Sequence, residues 1–256
     1  MKNIGLLTTF ILGLFILIGA LISMFFEKHE KIINFSVGLA FGVIVGLIVT
    51  DLIPELIESL GFRYLYIFII FSGLGFYILK WFDGLIPAHH EHYGHHHHSL
   101  NSKEKSENLE HIGFMTTIAL VLHNIIEGMA VYSSSFANPQ LALTLALGVG
   151  FHNIPLGMVI CSSFYHSSNN KKKTWVSIIC VSVSTFIGGI IMYLFNLNNI
   201  SEVFLGTLLS ITLGMLVFIV VDELFPRIKD TKDKKTTLYG ILLGVVILII
   251  SMFFGE

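Results

Sequence analysis

Charged side chains are scarce in this chain: Asp, Glu, Lys and Arg make up 12% of its 256 residues, while 54% are hydrophobic. A soluble domain carries about 25% charged residues. Half that share, with several apolar runs of about 20 residues, excludes a soluble globular protein and reads as a polytopic membrane protein. Cysteine is nearly missing as well. Cys161 and Cys180 both sit in apolar runs, which excludes a disulfide framework and leaves them as small core residues. The apolar runs also lack the alternation of a membrane β-barrel. The first run, Ile4 to Phe26, is too long for the apolar part of a cleavable signal and lacks a small-residue cleavage site, so it is expected to stay as a helix. The net charge of −2 decides nothing, because orientation in a bilayer depends on where the charges fall.

What is there is a set of eight apolar spans, at about 4–26, 33–58, 62–82, 112–135, 140–165, 174–196, 201–225 and 237–255. They predict an all-α membrane protein, a single transmembrane domain over 1–256. With the N-terminus outside, the inner connections carry 13 of the 15 Lys and Arg residues, leaving only Lys2 and Arg63 outside. The positive-inside rule therefore places both termini outside. Gly38, Gly42 and Gly46 in the second span, and Gly240 and Gly244 in the eighth, form small-residue rows that let helices approach closely in lipid.

One phrase occurs twice near the middle of consecutive spans: His123-Asn124-Ile125-Ile126-Glu127-Gly128 and His152-Asn153-Ile154-Pro155-Leu156-Gly157. Ionisable groups at that depth cost roughly 2.5–3.5 kcal/mol each on insertion scales, so they mark a functional site. His123 and Glu127 lie one turn apart on one helix face. The next span runs antiparallel and brings His152 to the same depth. Imidazole with carboxylate is a borderline ligand set, suited to Zn²⁺, Fe²⁺, Mn²⁺ or Co²⁺ and poorly suited to K⁺ or Ca²⁺. His123, Glu127 and His152 form a candidate metal site with an open position, as a transported ion needs; Asn124 and Asn153 are expected to line it. Pro155 removes a backbone donor beside His152, which favours a wet pathway there.

Acid–proline motifs recur in two other spans. Asp51-Leu52-Ile53-Pro54-Glu55 lies near the outer end of the second, and Asp222-Glu223-Leu224-Phe225-Pro226 near the inner end of the seventh. That is the placement an inverted repeat gives, with the first three spans related to the last three. Asp51, Glu55, Asp222 and Glu223 are candidate pathway residues, whereas Glu58 reads as a solvated helix end. The connection at about 83–111 holds His89, His90, His92, His95, His96, His97 and His98, and then a polar stretch. Its composition predicts a mobile cytoplasmic loop with accessory metal contacts.

These motifs, HNxxEG, HNxPxG, DLIPE and DELFP with the His-rich loop, resemble the ZIP family of divalent-metal transporters across the whole chain. The resemblance implies metal uptake into the cytoplasm, most simply of Zn²⁺, and a 3+2+3 inverted-repeat bundle in the cell membrane. It also implies an elevator-like or rocking change of access around a midplane site, and allows for homodimers. Two departures stand out. The family usually has a carboxylate where this chain has Leu156, and often a Glu-Pro pair in the sixth span, where this chain has Thr185-Phe186-Ile187-Gly188. One central metal site is therefore expected, with no binuclear centre. The expected partners are the metal ion and the lipid bilayer, with no nucleic acid and no enzymatic activity. The competing reading is a membrane-embedded zinc-dependent hydrolase, since two histidines, a carboxylate and a water also describe catalytic zinc.

Overall fold

A computed structural model describes residues 2–25, 30–85, 102–137, 147, 149–151, 153–161, 164, 171–195 and 201–255. All regular structure among the described residues is helical: α1 (Lys2–Phe25), α2 (Glu30–Leu47), α3 (Ile53–Leu60), α4 (Leu65–Leu85), α5 (Ser102–Ala137), α6 (Val149–Cys161), α7 (Lys171–Leu194), α8 (Glu202–Phe218), α9 (Phe225–Asp230) and α10 (Lys234–Gly255). Helices are what apolar chain must form in lipid, since each satisfies its own backbone. Six of the described stretches are long and apolar enough to cross a membrane: Asn3–Phe25, Asn34–Leu60, Phe62–Leu85, Glu110–Ser133, Lys171–Leu194 and Glu202–Asp230. α6 is a shorter apolar helix, and α10 is apolar from Leu238 onward.

Two spans are interrupted where they carry acids. α2 passes through a π-helical turn, Ile48–Leu52, into α3, and α8 passes through another, Ile219–Leu224, into α9. In each, the backbone bond reaches back five residues, Ile53 to Ile48 and Phe225 to Val220. Pro54 and Pro226 follow in the first turns of α3 and α9, the place where a missing N–H costs a helix least. Gly61, at φ 61°, ends α3 in a conformation that disfavours other residues. Ser201 Oγ caps α8 by accepting from the Phe204 N–H at 3.3 Å. Asp233 caps α10, taking the Thr236 N–H at 3.2 Å and its hydroxyl at 2.7 Å; these bonds hold its carboxyl below the usual aspartate range.

The helices sort into two groups by how they pack. In the first, α5 lies along α7, α7 along α1, and α1 also meets α5. In the second, α2 lies along α10 and α4 along α8, with α3 on α8 joining the pairs. Within each group backbone meets backbone at glycines. A Cβ on Gly128 would strike the Thr185 carbonyl, and one on Gly188 the Ile125 carbonyl. Gly157 and Gly19 sit in the same way over the Ile16 and Ile154 carbonyls, fixing α6 to α1. Gly38 and Gly42 of α2 interlock with Gly240 and Gly244 of α10, as the small-residue rows predict. The groups join mainly through α5 against α8, its π-turn and α4.

The expected connection at 83–111 is shorter than its composition suggested. Its polar second half is the start of α5, which begins at Ser102 and enters the apolar span near Glu110. Lys and Glu residues there favour helix in water, a signal independent of hydrophobicity.

Candidate metal site

Glu127 lies one helical turn beyond His123 on α5, and Glu127 Oε1 stands 3.8 Å from His123 Nε2. Both side chains are nearly covered, 4% and 10% exposed. The other carboxylate oxygen accepts from Asn153 Nδ2 of α6 at 3.3 Å, so one Glu127 head group is shared by neighbours from two helices. Asn124 turns away from this pair and donates from Nδ2 to the Val181 carbonyl of α7 at 3.2 Å. Both asparagines are fully buried, and Asn124 Oδ1 and Asn153 Oδ1 have no hydrogen-bond partner among the described residues. A buried acceptor left without a donor is costly and suits a cation or its water. His152 lies outside the described residues, as do His89, His90, His92, His95, His96, His97 and His98.

The final glycine of each repeated phrase has a structural task. Gly128 seats α5 on α7 and Gly157 seats α6 on α1. Asn124 and Asn153 stand one turn before these contact points. Leu156 is fully buried in the core, with no polar role.

The second helix group brings its acids towards this site unequally. Glu55 is half-buried at the start of α3, with Asp51 in the π-turn before it and Glu58 one turn on. Asp51 and Glu58 are exposed. Asp222 and Glu223, adjacent in sequence, part company. Asp222 pairs with Lys80 at 3.9 Å in an exposed contact of small energetic value. Glu223 turns inward to His111.

That contact opens a cluster the sequence reading did not contain. His111 Nε2 is 2.5 Å from Asp83 Oδ1 and 3.5 Å from Glu223 Oε1, and one ligand atom from each residue falls within 4.8 Å of the others. The three come from α5, the end of α4 and the π-turn after α8, at the lysine-rich end of the bundle. His111 is 12 residues from His123, about 18 Å along α5 at 1.5 Å per residue. Between them, two turns from His123, the buried Thr116 Oγ1 has no hydrogen-bond partner among the described residues. Glu223 was a candidate from its acid–proline motif, but Asp83 and His111 were not joined to it. Its partners are remote in the chain and only the packing brings them in.

Residues 83–252 match the ZIP zinc transporter family. Among similar proteins are the zinc transporters ZupT of Clostridium perfringens, 26% identical with 98% of this chain and 96% of the relative covered, and of Chlorobium chlorochromatii, 25% identical with 95% and 94% covered. ZupT of Streptococcus mutans is 26% identical, with 96% and 97% covered. A match over well more than half the chain, carrying a buried imidazole–carboxylate pair at mid-span, places this multi-pass membrane protein in the ZIP zinc transporter family.

Proposed function

We propose that this protein moves Zn²⁺ across the cell membrane into the cytoplasm through one midplane site built on His123, Glu127 and His152. The observation that carries this reading is the nearly buried His123–Glu127 pair, braced by Asn153, at the centre of a membrane span. Zn²⁺ takes such nitrogen and oxygen donors at about 2.0–2.2 Å, and an open coordination position lets water or the next donor exchange in and the ion move on. Fe²⁺, Mn²⁺ and Co²⁺ satisfy the same donors, and geometry and supply decide among them.

In this reading Asp51 and Glu55 draw the ion in from outside. His123 and Glu127 take it at mid-depth, with Asn124 and Asn153 alongside. It leaves past Thr116 towards Asp83, His111 and Glu223 on the lysine-rich, cytoplasmic side, while Asp222 and the loop histidines 89–98 act as outlying contacts. The orientation, with both termini outside and a 3+2+3 inverted repeat, is supported by the lysine distribution and by the two π-turns, one in each outer triplet of spans. Close backbone packing within each helix group, and looser packing between them, suits an elevator-like or rocking motion of one group past the other. If two copies pair, α4 is the surface for it, with Tyr66, Ile69, Ile70, Tyr77 and Trp81 facing outward. The hydrolase reading finds no support in the three relatives named above, which carry zinc transporter names.

The test is a proteoliposome assay with a zinc dye inside. Zn²⁺ entry that depends on the protein, with competition by Co²⁺, Mn²⁺ and Fe²⁺ in that series, is expected. Folded protein that binds Zn²⁺ and gives no flux overturns the reading.

A further inference from the structure

Asp83, His111 and Glu223 come together where the two helix groups meet at the lysine-rich end. His111 belongs to α5 of the first group. Asp83, in the last turn of α4, and Glu223, in the π-turn after α8, belong to the second. The side chains of His111, Asp83 and Glu223 are largely covered, at 12%, 22% and 9% exposed. Two carboxylates thus face one imidazole in poorly hydrated surroundings, where like charges repel strongly. The neighbouring lysines are turned to other acids, Lys80 to Asp222 and Lys173 to Glu110. Among the described residues, Asp83 and Glu223 form ion pairs with His111 only.

One proton does not satisfy that arrangement. His111 Nε2 is 2.5 Å from Asp83 Oδ1 and 3.5 Å from Glu223 Oε1, so a single N–H serves one acid and leaves the other facing it. On the far side of the ring, the buried Nδ1 has no partner among the described residues. A divalent cation takes up both carboxylate charges at once. Ligand atoms 2.0–2.2 Å from a tetrahedral Zn²⁺ stand about 3.3–3.6 Å apart. Glu223 is already at that spacing from the imidazole. Asp83 needs to withdraw by about 1 Å as the shared proton leaves, and it is the most exposed of the three. The π-turn accounts for the third ligand, since it sends Asp222 outward to Lys80 and Glu223 inward to His111.

We propose that Asp83, His111 and Glu223 form a second metal site, which holds one Zn²⁺ or similar divalent ion at the inner end of the path. The inference rests on the exit route proposed above and gives that route a binding step of its own. His111 and His123 are about 18 Å apart along α5, too far to share an ion, so the two sites fill separately. Nε2 gives up its proton to water and its lone pair to the metal, and each carboxylate supplies one oxygen. The fourth position stays open to water. Because the ligands come from both helix groups, the site is complete only while the groups meet at this end. An ion bound there holds the inner end closed. Parting of the groups dismantles the site and frees the ion to the cytoplasm.

Co²⁺ binding to the full-length protein in detergent tests this, read by visible absorption and by metal counted per chain. The seven loop histidines, 89, 90, 92 and 95–98, are changed to Ala throughout. With His123→Ala and Glu127→Gln added to disable the midplane, one Co²⁺ per chain is expected to remain. Adding His111→Ala should remove it. Glu223→Gln should weaken it by about tenfold or more and shift the absorption bands, while Asp230→Asn, an exposed acid at the same end, leaves both unchanged. Folded midplane-disabled protein that binds no Co²⁺, or whose Co²⁺ is untouched by His111→Ala, overturns the inner site. The converse protein, His111→Ala with the midplane intact, separates this inference from the reading it rests on. Co²⁺ bound there and absent from the midplane-disabled protein overturns only the inner site. The opposite result keeps the inner site and overturns the midplane reading. Should His111→Ala fail to fold, Glu223→Gln, of nearly equal size, carries the test, and a parental affinity and spectrum in it contradict the assignment.

Discussion

The two helix groups carry their polar residues in opposite ways. In the first, the described helices run without a π-turn, and the functional side chains are fixed by their neighbours: Asn124 to the Val181 carbonyl, Asn153 to Glu127, Glu127 beside His123. In the second, both acid-bearing spans break into π-turns with a proline close behind, and their acids divide between exposed and half-buried positions. Side chains on regular, tightly packed helices hold a geometry. Those on π-turns can be re-aimed, because the extra residue has no fixed place in the helical ladder. The first group is suited to gripping an ion and the second to passing it in and out.

Breaking the grip should have the largest effect on the fold. Gly128→Val drives a side chain into the Thr185 backbone and is expected to cost about 1–3 kcal/mol or more, read as a fall in thermal unfolding temperature. Gly73→Val on α4, where nothing lies within 4 Å of the added Cβ, should leave that temperature nearly unchanged. Equal losses would contradict the backbone-packed first group. Next comes the brace. Asn153→Ala should weaken Zn²⁺ binding by about 10–100-fold, the usual effect of removing a group that positions a ligand, with the unfolding temperature little moved. Third, His111→Ala removes the imidazole from the Asp83–His111–Glu223 cluster. It should slow uptake by about tenfold, or about 1.4 kcal/mol, with midplane affinity kept. If affinity falls instead, the cluster and the midplane act as one site. Smallest of all, deletion of residues 89–98 should leave the rate of liposome uptake in place.

Six of the eight expected spans were legible because lipid demands long apolar runs, and the read starts at 4 and 62 fall within a residue of the observed Asn3 and Phe62. The span read from 112 begins at Glu110, while its helix runs back to Ser102, because a helix leaving the membrane turns polar without ceasing to be a helix. The π-turns were invisible for a different reason. Asp51-to-Pro54 and Glu223-to-Pro226 look like helix ends in sequence, yet each span continues through the proline. At the site, His123 and Glu127 announced themselves by being ionisable at mid-span. The tasks of Gly128 and Gly157 did not, since a close approach needs its partner helix to be seen. His111, Asp83 and Glu223 are separated by up to 140 positions, and only the meeting of α4, α5 and the second π-turn makes them a cluster.

The most direct measurement is the initial rate of Zn²⁺ entry into liposomes holding the parent protein, His123→Ala or Glu127→Gln, with bound zinc per chain counted in each. Uptake is expected to fall by more than about 100-fold in both variants, beyond the usual loss from a supporting residue. The midplane zinc should vanish with it, while both variants keep the parent's helical content. Parental uptake in either folded variant would contradict a transport path through His123 and Glu127.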